Sequence, residues 1–304
     1  MDDVVIAGEH AARLAAADRL LPEAAPLSSG ITFHTESGIG LATTTGSTDD
    51  DPDAEGRVLT EHRLDVRLAG PDLGVPLAGL LIRWEEHLTS AATPGDWQST
   101  AVVLRPSRDT AGSAALLRHG FAPGVNVAVR PADRLGSGPE PTPGVCLRPA
   151  ERADLGTAVD LHLELQRYDA QFGVVTPRSG AAETVERRMS ELLAADEPAL
   201  WIAELYGRAL GMVQVELPPS TDWTAPYVRA DRVGYLTSLN VAEAARGSGV
   251  GTALAAHAHQ VFDEAGVDVA LLHHALANPR STPFWAAQGY RPLWTYWYRR
   301  PAVR

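Results

Sequence analysis

The stretch whose reading decides the fold is "NVAEAARGSGVGTALAAHAHQ", Asn240 to Gln260. Gly247, Gly249 and Gly251 stand at every second position behind Arg246, and an alanine-rich apolar helix pattern begins at once. The preceding "RVGYLTSLNV" reads as a strand, so the glycines join a strand end to a helix start. At that junction free N–H groups and the positive end of the helix dipole favour an anion. Arg246 adds a full positive charge, and the glycines let successive N–H groups converge on a diphosphate. A single glycine would read as a plain turn. Three behind an arginine point to an anion site.

Two familiar phosphate patterns fail here. A Walker loop needs Lys and then Ser or Thr after its last glycine, but Gly251 is followed by Thr252 and Ala253. The dinucleotide fingerprint needs a further glycine where Thr252 or Leu254 stands. What remains is Arg-x-x-Gly-x-Gly, spelled Arg246, Gly249 and Gly251. Downstream, "ANPRSTPFWAAQGYRP" supplies Asn278, Ser281, Trp285, Gly289 and Tyr290 at matching intervals after a second strand. On these two motifs the segment from about 145 to 300 resembles the GNAT family of N-acetyltransferases.

The resemblance implies a co-substrate, acetyl-CoA, and direct transfer of its acetyl group to a small-molecule amine, without a covalent enzyme intermediate. It implies that Arg246, Gly247, Ser248, Gly249, Val250, Gly251 and Thr252 cradle the pyrophosphate. Backbone groups near Leu239, Asn240 and Val241 would meet the pantetheine arm in a gap between splayed strands. An amide there would polarise the thioester carbonyl. Asn278, Ser281 and Trp285 would complete the cofactor slot. Many relatives carry Tyr at the Trp285 position to protonate the departing thiolate, and an indole cannot do so. Trp285 is therefore expected as a wall. A catalytically silent acyl-CoA-binding or regulatory protein is the alternative this departure leaves open.

The acceptor amine must lose a proton, so a base is needed. Candidates are Glu204 and Glu216 on neighbouring strands, and His274. His273 and His274 are adjacent on one strand, and alternation would let only one of them face the cleft. "QRYDAQFGVVTPR", Gln166 to Arg178, should line the acceptor entrance.

The remaining sequence sets limits. The chain has 304 residues, 45% hydrophobic and 21% charged, with no apolar run long enough to span a membrane. Its net charge of −12 argues against nucleic acid as a partner and mildly favours a cationic amine. A single cysteine, Cys146, excludes an internal disulfide and a cysteine-based metal cage. His257 and His259 are two apart on a helix and make no metal pair, so no metal is expected. The acidic, helical N-terminus does not read as a secretory signal, and a cytoplasmic monomer or homodimer is expected.

The order after residue 145 is β-α-α-β-β-β-α-β-α-β, an α/β (α+β) domain with helices on a mixed, mostly antiparallel sheet. The first half echoes it. "LRHGFAP" (Leu117 to Pro123) matches "AAQGYRP" (Ala286 to Pro292), and "DLGVPLAGLLIRWEEHL" aligns Gly74 with Gly249. Two GNAT-like domains are therefore expected: a degenerate copy at 1–135, a Pro/Gly-rich linker at 136–144, and the catalytic copy at 145–304. In the first copy Pro71, Asp72 and Pro76 stand where Arg246, Gly247 and Gly251 would, so only one acetyl-CoA is expected per chain. "GSTDDDPDAEG", Gly46 to Gly56, reads as an acidic loop insertion.

Overall fold

The computed structural model describes residues 1–304 except 27–28, 49–55, 57, 133–141, 174 and 179. Most of the expected acidic insertion and linker fall on the residues outside the description. The chain forms two compact units. One gathers Met1–Val127, Ala225–Arg229 and Pro292–Arg304; the other gathers Ala128–Thr224 and Ala230–Arg291.

The first unit contains α1 (Asp3–Ala17), β1 (Ile31–Thr35), β2 (Gly38–Gly46), β3 (Thr60–Leu68), α2 (Gly74–Ala91), β4 (Ser99–Pro106) and α3 (Ser113–Arg118). Strand β5 (Ala122–Pro131) has residues 122–127 in this unit and 128–131 in the other. β1, β2 and β3 pair antiparallel, whereas β3 and β4 pair parallel from Thr60↔Ser99 to Arg63↔Val102. Buried Leu64, Val66 and Leu68 alternate along β3, as a strand with one covered face requires. Leu77, Leu80, Leu81, Trp84 and Leu88 form the buried stripe of α2 and pack in the same core.

The second unit runs β6 (Val145–Pro149), α4 (Leu155–Ala170), α5 (Ala181–Ala194), β7 (Leu200–Leu205), β8 (Arg208–Glu216), β9 (Val233–Val241), α6 (Val250–Glu264), β10 (Val269–Ala275) and α7 (Ser281–Ala287). Strands β6 to β9 pair antiparallel in sequence order, and β10 joins β9 parallel. Between β7 and β8 the connection is the pair Tyr206 and Gly207, with φ of 50° and 78°. Two successive left-handed residues are what a two-residue hairpin demands. On α6, Val250, Leu254, Ala258 and Phe262 recur every fourth position and are buried against Val213, Val215 and Leu236. Val185 and Met189 of α5 seal the other helical layer against Leu200, Ile202 and Met212.

The closing aromatic strand, β11 (Arg291–Arg299), pairs antiparallel with β4, from Trp294↔Pro106 to Arg299↔Ala101. From Pro292 onward the chain belongs to the first unit. The mixed α/β class and the flanking helices are those expected from the sequence.

Candidate active site

Two local departures from regular pairing open a cleft in the second unit. Parallel pairing of β9 with β10 runs Val233↔Val269, Gly234↔Ala270 and Tyr235↔Leu271, and then stops. Beyond it the strands part. Across β9's other edge the register slips, so that Gln214 faces Ser238 but Val215 faces Leu236, leaving Thr237 as a bulge residue. The parted strands border a cavity of about 540 Å³. Its walls include Leu236, Thr237, Ser238, Leu239 and Val241 from β9, and Leu272, His273, His274 and Ala275 from β10.

The glycine loop closes one end. Gly247 and Gly249 adopt φ of 82° and 89°, a region that a side chain would strain. Gly249 caps α6, so its left-handed backbone turns the chain from loop into helix. Gly251 is not left-handed; an added Cβ would meet Phe284 and Val241 at 3.5 Å, an ordinary contact. Arg246, Gly247, Gly249, Gly251 and Thr252 all line the cavity. Its apolar end is walled by Trp285, which is buried edge-on against Phe284 and Tyr290.

Arg246 donates to Glu164 Oε1 (2.6 Å) and to the Val241 carbonyl (3.2 Å). Its guanidinium lies 5.2 Å from the centre of the Tyr168 ring, and that of Arg280 lies 5.4 Å from the same ring. The loop cation is thus pre-positioned by a carboxylate and an aromatic face. Asn278 spends its Oδ1 on the amides of Arg280 and Ser281 and sends its Nδ2 toward Asp169 Oδ1 at 3.3 Å. Asp169 borders the cavity, and burial raises its pKa against the opposing bond from Asn278.

Of the residues expected at the cofactor, Leu239, Val241, Arg246, Gly247, Gly249, Gly251, Thr252, Asn278, Ser281 and Trp285 line this one cavity. Asn240, Ser248 and Val250 do not. Asn240 Nδ2 is bound to the Leu161 carbonyl of α4, Ser248 Oγ donates to the Ala245 carbonyl, and Val250 is in the α6 core.

The candidate bases separate. Glu204 accepts from Arg148 Nε at 2.8 Å, on the β6–β7 pair away from the cavity-lining strands. Glu216 accepts from Thr237 Oγ1 at 2.9 Å and from Trp223 Nε1 at 3.2 Å, which puts it one hydrogen bond from the cavity wall. His274 lines the cavity directly, and burial lowers its pKa. His273 lines it too, where strand alternation alone would admit only one. The reason is the parting of the strands: past Leu271, β10 no longer pairs with β9, and that edge as well as its face borders the cleft.

The stretch Gln166 to Arg178 and the position of Ser238 were legible in the sequence, but not that two guanidiniums lie near the Tyr168 ring or that the Ser238 hydroxyl is orphaned. Ser238 is 7% exposed, lines the cavity, and its Oγ has no partner among the described residues. It adjoins the register slip at Thr237, and a bulge leaves no mark in the hydrophobic pattern. Among the described residues, no group of three or more His, Cys, Asp or Glu is placed to hold a metal ion. Among them too, no helix is long and apolar enough to cross a membrane.

Comparison with known proteins fits this geometry. A search of curated proteins by sequence found no match. In structure, the chain is similar to a GCN5-related N-acetyltransferase from Sphaerobacter thermophilus, at 16% identity and a TM-score of 0.54, covering 88% of this chain and 78% of that one. It is also similar to a GCN5-related glucosamine N-acetyltransferase region in a fungal multi-domain GH3 β-N-acetylglucosaminidase, at 14% identity and a TM-score of 0.51. That match covers 86% of this chain and 31% of the other. Likeness at such identity speaks for the fold. The segment that builds the cleft, residues 166–290, matches the model of the acetyltransferase (GNAT) family.

Proposed function

We propose that the protein transfers the acetyl group of acetyl-CoA directly to a small-molecule amine. The observation that carries this reading is the cleft between β9 and β10, floored by left-handed glycines at the α6 N-terminus. The diphosphate lies on the amides of 247–251 with Arg246 beside it. Pantetheine runs along the freed edge of β9, whose unpaired backbone groups need partners once the cleft is dry. The thioester carbonyl is then met by a β9 amide near the bulge, a fixed dipole at the place where negative charge develops.

His274 takes the amine's proton. With its pKa lowered by burial it is neutral at pH 7, and it can accept a proton in the state in which it waits. Its Nδ1 sits 3.3 Å from the Ala275 carbonyl, so a proton held there leaves Nε2 as the accepting nitrogen. The leaving thiolate departs without a phenol, since Trp285 offers only an indole N–H. A thiol of pKa about 8.5 is a tolerable leaving group. That same missing phenol is what would favour the silent acyl-CoA-binding alternative.

The first unit fits a degenerate copy that binds no cofactor. It has the same β-α-β-α run with a parallel pair, β3 and β4, that also stops early. There, however, groups of the chain itself take amides at the end of β3 and in the loop that follows it. Gly70 N–H donates to Glu9 of α1 (2.9 Å), Leu68 N–H to His10 Nδ1 of α1 (3.4 Å), and Gly74 N–H to Asp72 (2.9 Å). Of these, Gly74 is the position aligned with Gly249, and its amide is taken by the loop's own carboxylate. The test is amine-dependent release of CoA thiol from acetyl-CoA, run beside calorimetry of CoA alone. Binding of CoA without thiol release by any amine of a broad panel would overturn the enzymatic reading in favour of the silent one.

A further inference from the structure

The acceptor side of the cleft carries polar groups that the transfer reaction leaves unused. Ser238 Oγ is buried, faces the cavity and lacks a partner. Its cross-strand neighbour is Gln214, 2% exposed, whose Oε1 is also without a partner among the described residues. Residues opposed in an antiparallel ladder share a face, so the two orphaned side chains lie on one face of β8 and β9. Buried acceptors left unsatisfied are costly, and natural sites supply them with a donor from water or ligand.

Next to them is an anionic and aromatic strip. The Glu216 carboxylate is held by two neutral donors, Thr237 Oγ1 and Trp223 Nε1, and no cation pairs with it among the described residues. The indole that fixes it is 44% exposed and stands edge-on to Tyr235 with ring centres 4.7 Å apart. Tyr235 in turn shares a hydrogen bond with His273 Nδ1 at 3.0 Å, which returns the strip to the cavity wall. A carboxylate without a counter-cation beside an exposed indole is a recognition element for a positive charge.

We propose that this strip is the acceptor subsite and that it selects diamines. The neutral, reacting amino group donates to Ser238 Oγ, which aims its lone pair into the cleft. The distal ammonium rests on the face of the Trp223 ring, beside the Glu216 carboxylate. The bond formed is nitrogen to acetyl carbon, the bond broken is carbon to sulfur, and the proton leaves to His274. The distal charge is unchanged throughout. This inference rests on the transfer reading for its chemistry, but its binding claim stands apart from turnover.

The experiment therefore measures binding first. Protein saturated with CoA is titrated with putrescine, cadaverine and butylamine, and indole fluorescence and calorimetry are followed. The expected result is at least roughly tenfold tighter binding of a diamine than of butylamine. Glu216→Gln and Trp223→Leu should each erase that preference, while CoA affinity and thermal stability stay as in the wild type. Ser238→Ala should weaken both amines alike, because it removes the contact they share. In turnover, the preference should appear in KM for the amine. Equal binding of diamine and monoamine, or a preference that survives both Glu216→Gln and Trp223→Leu in folded protein, would overturn the proposal. Diamine binding with those dependences but no thiol release would instead uphold it and remove the transfer reading.

Discussion

Substituting Gly251 separates charge at the cofactor loop from strain in the backbone. Gly251 is the second residue of α6, has an unstrained φ, and has room for a Cβ against Phe284 and Val241. Aspartate there exchanges glycine's poor helix propensity for a better one, and its charge complements the helix dipole by about 0.3–1 kcal/mol. The Gly251→Asp protein should therefore melt no lower than the wild type. Its carboxylate, however, faces the cavity in which the diphosphate is proposed to lie. At about 5 Å and an effective dielectric of about 20, each unit charge pair repels by about 3 kcal/mol, roughly two hundredfold in affinity. Gly251→Asn has nearly the same size without the charge and should lose far less. Gly249→Asp should lose binding equally but melt lower, because its φ of 89° strains any side chain. The assay is calorimetric titration with CoA beside a thermal melt, at low salt so that screening does not mask the effect. A folded Gly251→Asp protein that binds CoA as tightly as Gly251→Asn would refute the placement of the diphosphate.

Other outcomes follow from the same geometry. Trp285→Phe should change KM for acetyl-CoA more than kcat, since the ring is a wall; a collapse of kcat at unchanged cofactor affinity would contradict that. His274→Gln should lower kcat by about a hundredfold or more without altering CoA binding; in the wild type the acid fall in rate should set in below the ordinary imidazole range, because burial lowers this pKa. His10, held at a pKa of about 4 by burial and then by Arg105 and Arg67, binds its proton more weakly folded than unfolded. Stability should then fall as pH drops from about 6.5 to 4, by up to about 1.4 kcal/mol per pH unit from this group, and His10→Gln should flatten that slope in urea titrations. The Asp154 carboxyl, held low by Arg148 at 2.7 Å, contributes stability above about pH 4 that is lost as pH falls through its folded pKa. Asp154→Asn should accordingly be less stable at pH 7, with a handicap that shrinks below pH 4.

What the sequence made legible was local. Gly247 and Gly249 could be read because a left-handed backbone is a demand each position makes by itself. The α6 stripe and the Tyr206–Gly207 hairpin are legible for the same reason: period and turn chemistry act over a few residues. The parting of β9 and β10 was expected from family resemblance and is present in the pairing. What escaped was long-range. Nothing in "LWTYWYRR" says that its partner is β4, because an apolar strand can complete any edge of matching length. Glu204 is held by Arg148, fifty-six positions away in sequence, a pairing that no local pattern carries. The bulge at Thr237, beside the cavity-lining Ser238, depends on how two strands register. The contacts of Glu9 and His10 with the amides of Gly70 and Leu68 depend on α1 lying against the end of β3, which no local pattern carries.

The most direct test of the central claim is a time course of thiol release from acetyl-CoA with and without cadaverine, with the amine product identified by mass spectrometry. The account predicts amine-dependent release matched one for one by N-acetylated diamine, abolished by Gly251→Asp and sharply slowed by His274→Gln. Tight CoA binding with no amine-dependent release, from cadaverine or any other amine tried, would contradict it.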